Sequence, residues 1–150
     1  MALLETIIKK PDVFLESLFR AATCSADPKH CLPPQLKNII KAPPKGKVVV
    51  IGAGKAAGSM ANAFENFWLK SFPAIPLHGI VVTRYGHALN CKHIDVIEAG
   101  HPLPDANGIS AANKIFELAR GLTKDDLAVC LISGGCSALL SLPADGIELE

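Results

Sequence analysis

GKVVVIGAGKAAGSM, Gly46 to Met60, decides how this sequence is read. Lys47–Ile51 is short, β-branched and apolar throughout, the pattern of a strand buried on both faces of a parallel sheet. It runs straight into glycines at 52, 54 and 58. From about Lys55 to Lys70 the spacing predicts a helix with Ala57, Met60, Ala61, Phe64 and Trp68 on one face, its small residues standing where helix and strand must approach. A glycine turn from strand into helix leaves amides unpaired and sets the positive end of the helix dipole beside them, which favours a phosphate or carboxylate. The spacing G-x-G-x-x-x-G is one residue longer than a dinucleotide fingerprint, and it is not a Walker A loop. Lys55 has the wrong sign for a structural part, since a cation at a helix N-terminus costs roughly 0.3–1 kcal/mol. An anion held jointly by Lys55 and the turn amides around Gly52 and Gly54 reverses that cost. The plainer alternative is that the glycines merely allow a tight turn and Lys55 is solvated.

Working outward, Gly79–Thr83 (GIVVT), Ile94–Glu98 (IDVIE) and Leu127–Ile132 (LAVCLI) read as three further short strands. Asp105 is the expected cap of a helix ending near Leu122, with Ile109, Ala112, Phe116 and Ala119 as its buried face and Gly121 as its stop signal. Toward the N-terminus, Asp12 is placed to cap a helix whose Leu15, Leu18, Phe19 and Ala22 form an apolar stripe suited to packing on something larger. That helix should end near Ser25. ADPKHCLPPQ reads as a turn-rich connection, Gln35–Lys41 as a short helix and APPKG as a stiff linker into the first strand. Strands alternating with helices predict an α/β fold, a parallel sheet flanked by helices with right-handed connections. In such sheets ligands bind at the carboxyl ends of the strands, where the unusual residues of this sequence fall.

The chain has 150 residues, 49% of them hydrophobic, enough for a core in one domain of ordinary size. Fifteen Lys and Arg against fourteen Asp and Glu leave a formal charge of +1, so no bulk attraction to nucleic acid or anionic membrane is expected. Five cysteines without CxxC spacing suggest neither a disulfide framework nor a zinc site, and point to a reducing compartment. No run of eighteen apolar residues occurs, and the acidic residues near the N-terminus argue against a transit or signal peptide, so the expected location is cytoplasmic.

SGGCSALL, Ser133–Leu140, is a second glycine turn between strand and helix. Gly134 and Gly135 admit a ligand to the backbone, while Ser133 and Ser137 can offer hydroxyls to phosphate oxygens. It is not a nucleophile elbow, because Leu139 stands where G-x-S-x-G requires glycine. Cys136 follows a glycine turn that could depress its pKa, but no histidine pairs with it in the sequence, and an inert small residue is the simpler reading. TRYGHA places Arg84 and His87 past the second strand. No acidic residue for ribose hydroxyls stands there, which disfavours NAD and leaves NADP or another anion open to Arg84. AGHPLPDANG holds His101 in a proline-stiffened loop with Asp105 and Asn107, so that His101 serves either ligand binding and proton transfer or a loop-stapling hydrogen bond.

The stretches KVVVIGAGKAAGSM, GIVVTRYGHA, EAGHPLPDANG and LISGGCSALLSLPADGI, in this order and at these distances, resemble the class II glycerate kinases. This is the family with a C-terminal MOFRL domain, some members of which are labelled hydroxypyruvate reductases. The resemblance runs from about Leu15 to the last residue. It implies phosphoryl transfer from ATP, with Mg2+, to D-glycerate, most often at the 2-hydroxyl, in a cleft between two domains. By similarity Lys55 is the active-site lysine, and Ser133, Gly134, Gly135 and Ser137 form a phosphate-binding element of the same cleft. Arg84, His87, His101 and Asp105 sit in family-like loops. Cys136 departs from the third glycine common in the family. The resemblance refines the expected fold to a Rossmann-like three-layer sandwich, with residues 1–45 a helical segment packing on the core and 46–150 the first part of the α/β domain. The MOFRL-type domain is absent from these residues, metal ligands are not identified, and the portion alone is expected to be inactive and to assemble, if at all, as a homo-oligomer. Two other readings stay open: an NADP-dependent hydroxypyruvate reductase, and a non-catalytic nucleotide-binding module.

Overall fold

The computed structural model describes residues 9–147 and 149. Four parallel strands, β1 (Val48–Ala53), β2 (Leu77–Arg84), β3 (Ile94–Ala99) and β4 (Leu127–Ile132), lie in the order β3-β2-β1-β4. Val48 pairs with Leu77 on one side and Leu127 on the other, so β1 is central. Its three valines are fully buried, as its unbroken apolar run predicts.

Helix α1 (Pro11–Ala26) and helix α2 (Pro28–Ile39) precede the sheet. Helix α3 (Ala57–Ser71) follows β1 and covers one face, where Ala57, Ala61, Phe64 and Trp68 meet Val48, Val50 and Val81. Helix α4 (Ala106–Arg120) covers the other, where Ala111 and Ile115 meet Ala53, Val82 and Ala99. A single turn, α5 (Cys136–Leu139), follows β4. The result is the α/β three-layer arrangement expected of the sequence.

Several expectations are corrected. ADPKHCLPPQ is helix, not a connection: Asp27 caps α2 by accepting from the Lys29 amide at 3.0 Å, and Pro28 occupies its first turn. Pro33 and Pro34 lie inside it, and Leu36 buries against α3. Asp12 lies in the first turn of α1, whose cap is Lys10. The stripe Leu15, Leu18, Phe19 and Ala22 is exposed, Phe19 to 69%, so α1 itself does not pack on the sheet. On α4 the buried residues are Gly108, Ala111, Ala112 and Ile115, while Phe116 is exposed. The inward face is rotated from the expected one: Gly108 packs on the backbone of α5, where a Cβ would stand 3.1 Å from the Leu139 carbonyl oxygen.

The connection from β2 to β3, residues 85–93, has no helix, although parallel neighbours ordinarily need one to return the chain. It is held against α3 instead. The buried carboxylate of Glu65 accepts from the amides of Lys92 and His93, each at 2.7 Å, and Asn62 donates to the carbonyl of Asn90. Gly58 allows this approach, since a Cβ there would stand 2.9 Å from the His87 carbonyl oxygen. The third glycine of GAGKAAG therefore serves a helix–loop contact.

Candidate functional site

The connection after β1 runs to β2 and the chain later returns to place β4 on the opposite side of β1. Such a reversal opens a crevice at the carboxyl ends of the two strands. Both glycine turns stand at that crevice.

The turns are locked together. The Lys55 amide donates to the Gly134 carbonyl at 2.8 Å, the Ser133 amide to the Ala53 carbonyl at 3.1 Å, and the Ala56 amide to the Ser133 hydroxyl at 3.0 Å. Gly54 donates to Val82 and Ala57 to Gly54. The amides from Gly54 to Ala57 are thus spent on protein acceptors, which corrects the expectation that GAGK offers bare amides to a ligand. Gly52 and Gly54 have another purpose. A Cβ on Gly52 would run into the Leu131 carbonyl, and one on Gly54, at φ 135°, into Ser133. Both glycines let β1 and β4 come together.

The exposed side chain of Lys55 lies along the second turn. A Cβ on Gly134 would stand 3.6 Å from Lys55 Cε and 4.0 Å from its Nζ. One on Gly135, which sits at φ 88°, would stand 3.3 Å from Lys55 Cγ and 2.7 Å from His101 Nε2. Lys55 and His101 therefore flank one point above Gly135, and only glycine leaves it open. Among the described residues no acceptor meets the amides of Gly134 and Gly135. The Lys55 side chain, the His101 imidazole and two amides without a protein acceptor thus stand around the second turn.

The remaining residues divide. Asp105 caps α4, accepting from Gly108 at 2.9 Å through one oxygen, while the other accepts the Tyr85 hydroxyl at 2.7 Å. The Tyr85 hydroxyl, then the Gly108 amide, hold the Asp105 carboxyl below the usual carboxylate range. Both oxygens are engaged, so Asp105 is built into the loop and does not reach for a ligand. Arg84 ends β2 and Ser137 lies on α5, both exposed. Among the described residues neither hydrogen-bonds to Lys55 or His101, so the cluster at Gly135 forms without them. The backbone of His87, with that of Ala88, donates to Glu98, each at 2.9 Å. Cys136 has no positive φ, and burial raises its thiol pKa, the reverse of an activated thiolate. Sequence reasoning missed Tyr85 and Glu98. Tyr85, beside Arg84 in TRYGHA, was the one visible sign of a polar aromatic at a strand end.

The fold is a parallel α/β arrangement with both glycine turns at its switch point. The family described as a domain of unknown function, DUF4147, matches residues 14–150, and the chain belongs to it. It is 44% identical over 106 residues to a glycerate 2-kinase of Pyrococcus horikoshii, covering 71% of this chain and 23% of that one. It is 47% identical over 135 residues to an Agrobacterium vitis protein with the provisional name hydroxypyruvate reductase, covering 90% of this chain and 29% of that one. A crystal structure of a glycerate kinase from Thermotoga maritima superposes with a TM-score of 0.70 at 33% identity, covering 81% of this chain and 28% of that one. The chain spans about a quarter of the length of the curated relatives it matches. Among the described residues no helix is long and apolar enough to cross a membrane.

Proposed function

We propose that this chain is the N-terminal part of an enzyme that transfers a phosphoryl group from ATP to D-glycerate, giving 2-phosphoglycerate. The observation that carries the reading is the position of Lys55 along Gly134 and Gly135 with His101 on the same point. Phosphoryl transfer asks little covalent help of a protein and much positioning and positive charge around the transferred oxygens. In this reading Lys55 supplies the charge, the Gly134 and Gly135 amides donate to a phosphate or carboxylate oxygen, and His101 fixes its orientation. The relatives named glycerate kinase support the choice of acceptor.

The proposal includes Mg2+ held with the ATP phosphates, its protein ligands not among the groups placed at this crevice. Asp105 is fully engaged, and among the described residues no group of three or more His, Cys, Asp and Glu could hold a metal ion. The proposal extends to a second, MOFRL-type domain completing the cleft, to inactivity of these residues alone, and to a cytoplasmic setting, which five unpaired cysteines suit.

The Agrobacterium name favours a second reading, an NADP-dependent reductase of hydroxypyruvate. Against it, a dinucleotide pyrophosphate would use the amides of the first glycine turn, and those are already bound by Val82, Gly134, Ser133 and Gly54. Two assays on the enzyme carrying this chain separate the readings: ATP-dependent formation of phosphoglycerate, and oxidation of NADPH by hydroxypyruvate. Phosphoglycerate without NADPH oxidation is expected, and the opposite pair of results overturns the kinase assignment.

A further inference from the structure

Resting on the reading of the crevice as an oxyanion receptor, we propose that Tyr85 is a positioning residue of that site. It acts through Asp105 to hold the loop that keeps His101 against Gly135 beside Lys55.

Tyr85 stands on the loop after β2, and its hydroxyl does not face the crevice group directly. It donates to Asp105 Oδ2 at 2.7 Å and accepts from Asn107 Nδ2 at 3.0 Å, while Asn107 Nδ2 also reaches the Glu98 carbonyl at 3.4 Å. The loop it grips folds tightly on itself. A Cβ on Gly100 would stand 2.5 Å from the Leu103 carbonyl oxygen and 3.1 Å from Asp105 Cγ, so Asp105 sits against the residue preceding His101. The other Asp105 oxygen holds Gly108 at the start of α4. One carboxylate thus closes both ends of the His101 loop, and the tyrosine ties that closure to β2. Glu98, next to last in β3, ties the loop of Tyr85 to the strand that leads into the His101 loop, accepting from the His87 and Ala88 amides. Ring placement matters because His101 Nε2 meets the one position at which Gly135 leaves room. A small displacement of the loop moves the imidazole off the site without unfolding a strand or helix.

The test uses the enzyme carrying this chain, inorganic phosphate and two substitutions, Tyr85→Phe and His101→Asn. The ring resonances of His101 are recorded by NMR without ligand, and phosphate affinity is measured for wild type, each single variant and the double variant. Tyr85→Phe is expected to shift the His101 ring resonances in the free protein and to weaken phosphate binding about threefold or more, the size at which partners sharing a network couple. In the His101→Asn background Tyr85→Phe is expected to change affinity little. Unmoved His101 resonances, or equal weakening in both backgrounds, overturns the positioning role. If wild type fails to bind phosphate, the oxyanion reading falls, while the ring resonances still decide whether Tyr85 positions His101.

Discussion

The hydroxyl of Ser133, at the end of β4, accepts the amide of Ala56 at 3.0 Å, so the start of α3 is capped by a residue 77 positions away in the chain. Ala56, at the cap position itself, has no side chain able to do this. Ser133→Ala should therefore cost about 1 kcal/mol, the usual worth of a cap. Urea denaturation measures it, and an unchanged midpoint would show that the two turns are held by their backbone bonds alone.

Gly135→Ala forces a side chain into a left-handed backbone, worth about 1–2 kcal/mol, and into the His101 ring. Loss of stability is expected together with loss of phosphate binding by calorimetry. Retained binding at wild-type affinity would place the oxyanion elsewhere.

Lys55→Ala should leave the circular dichroism spectrum unchanged, since the side chain is exposed, and reduce turnover of the enzyme carrying this chain by on the order of 100-fold or more. Equal turnover in the variant and wild type removes the lysine from the reaction.

Glu65→Gln leaves one acceptor for two amides and turns an amino group toward the other. Hydrogen bonds to a charged group are worth about 1.5–3 kcal/mol, so a loss near 2 kcal/mol is expected in denaturant titration. Hydrogen exchange should rise first at Lys92 and His93; uniform exchange across the chain would contradict an anchoring role.

Asp126 joins the starts of β1 and β4. The Lys47 amide, then that of Thr123, hold its carboxyl below the usual range. A folded-state value below the unfolded one contributes stability in full above the ordinary carboxylate range, near pH 4, and loses it as pH falls through the folded value. The melting temperatures of wild type and Asp126→Asn should accordingly differ most above about pH 5 and converge in stronger acid. A constant difference across that range would assign the effect to shape instead of charge.

What the sequence determined by itself is the set of strands and the shape of the alternation. Val48–Ile51 is legible because a strand buried on both faces leaves no polar position to confuse its pattern, and Leu127–Ile132 because it is apolar throughout, although Ala128, Cys130 and Ile132 are exposed. Asp105 is legible as a cap because capping is local, and Gly135 because a strand-to-helix turn asks for φ that other residues resist. Of helix α2 only the part from Gln35 was legible; its first part escaped because two prolines in LPP outweighed, on local propensity, the burial of Leu36 against α3. The face of α4 differs from the expected one because Phe116 signals a core by composition, whereas the contacts of Gly108, Ala111 and Ile115 with the sheet and the α5 backbone are tertiary. Only tertiary structure decided which amides remain for a ligand: those of GAGK are consumed by Val82 and by the turn after β4, brought beside β1 by the strand order. Local sequence states which groups can donate. Pairing between strands far apart in the chain determines which donors are already satisfied, and so which turn, the second and not the first, keeps amides without a protein acceptor.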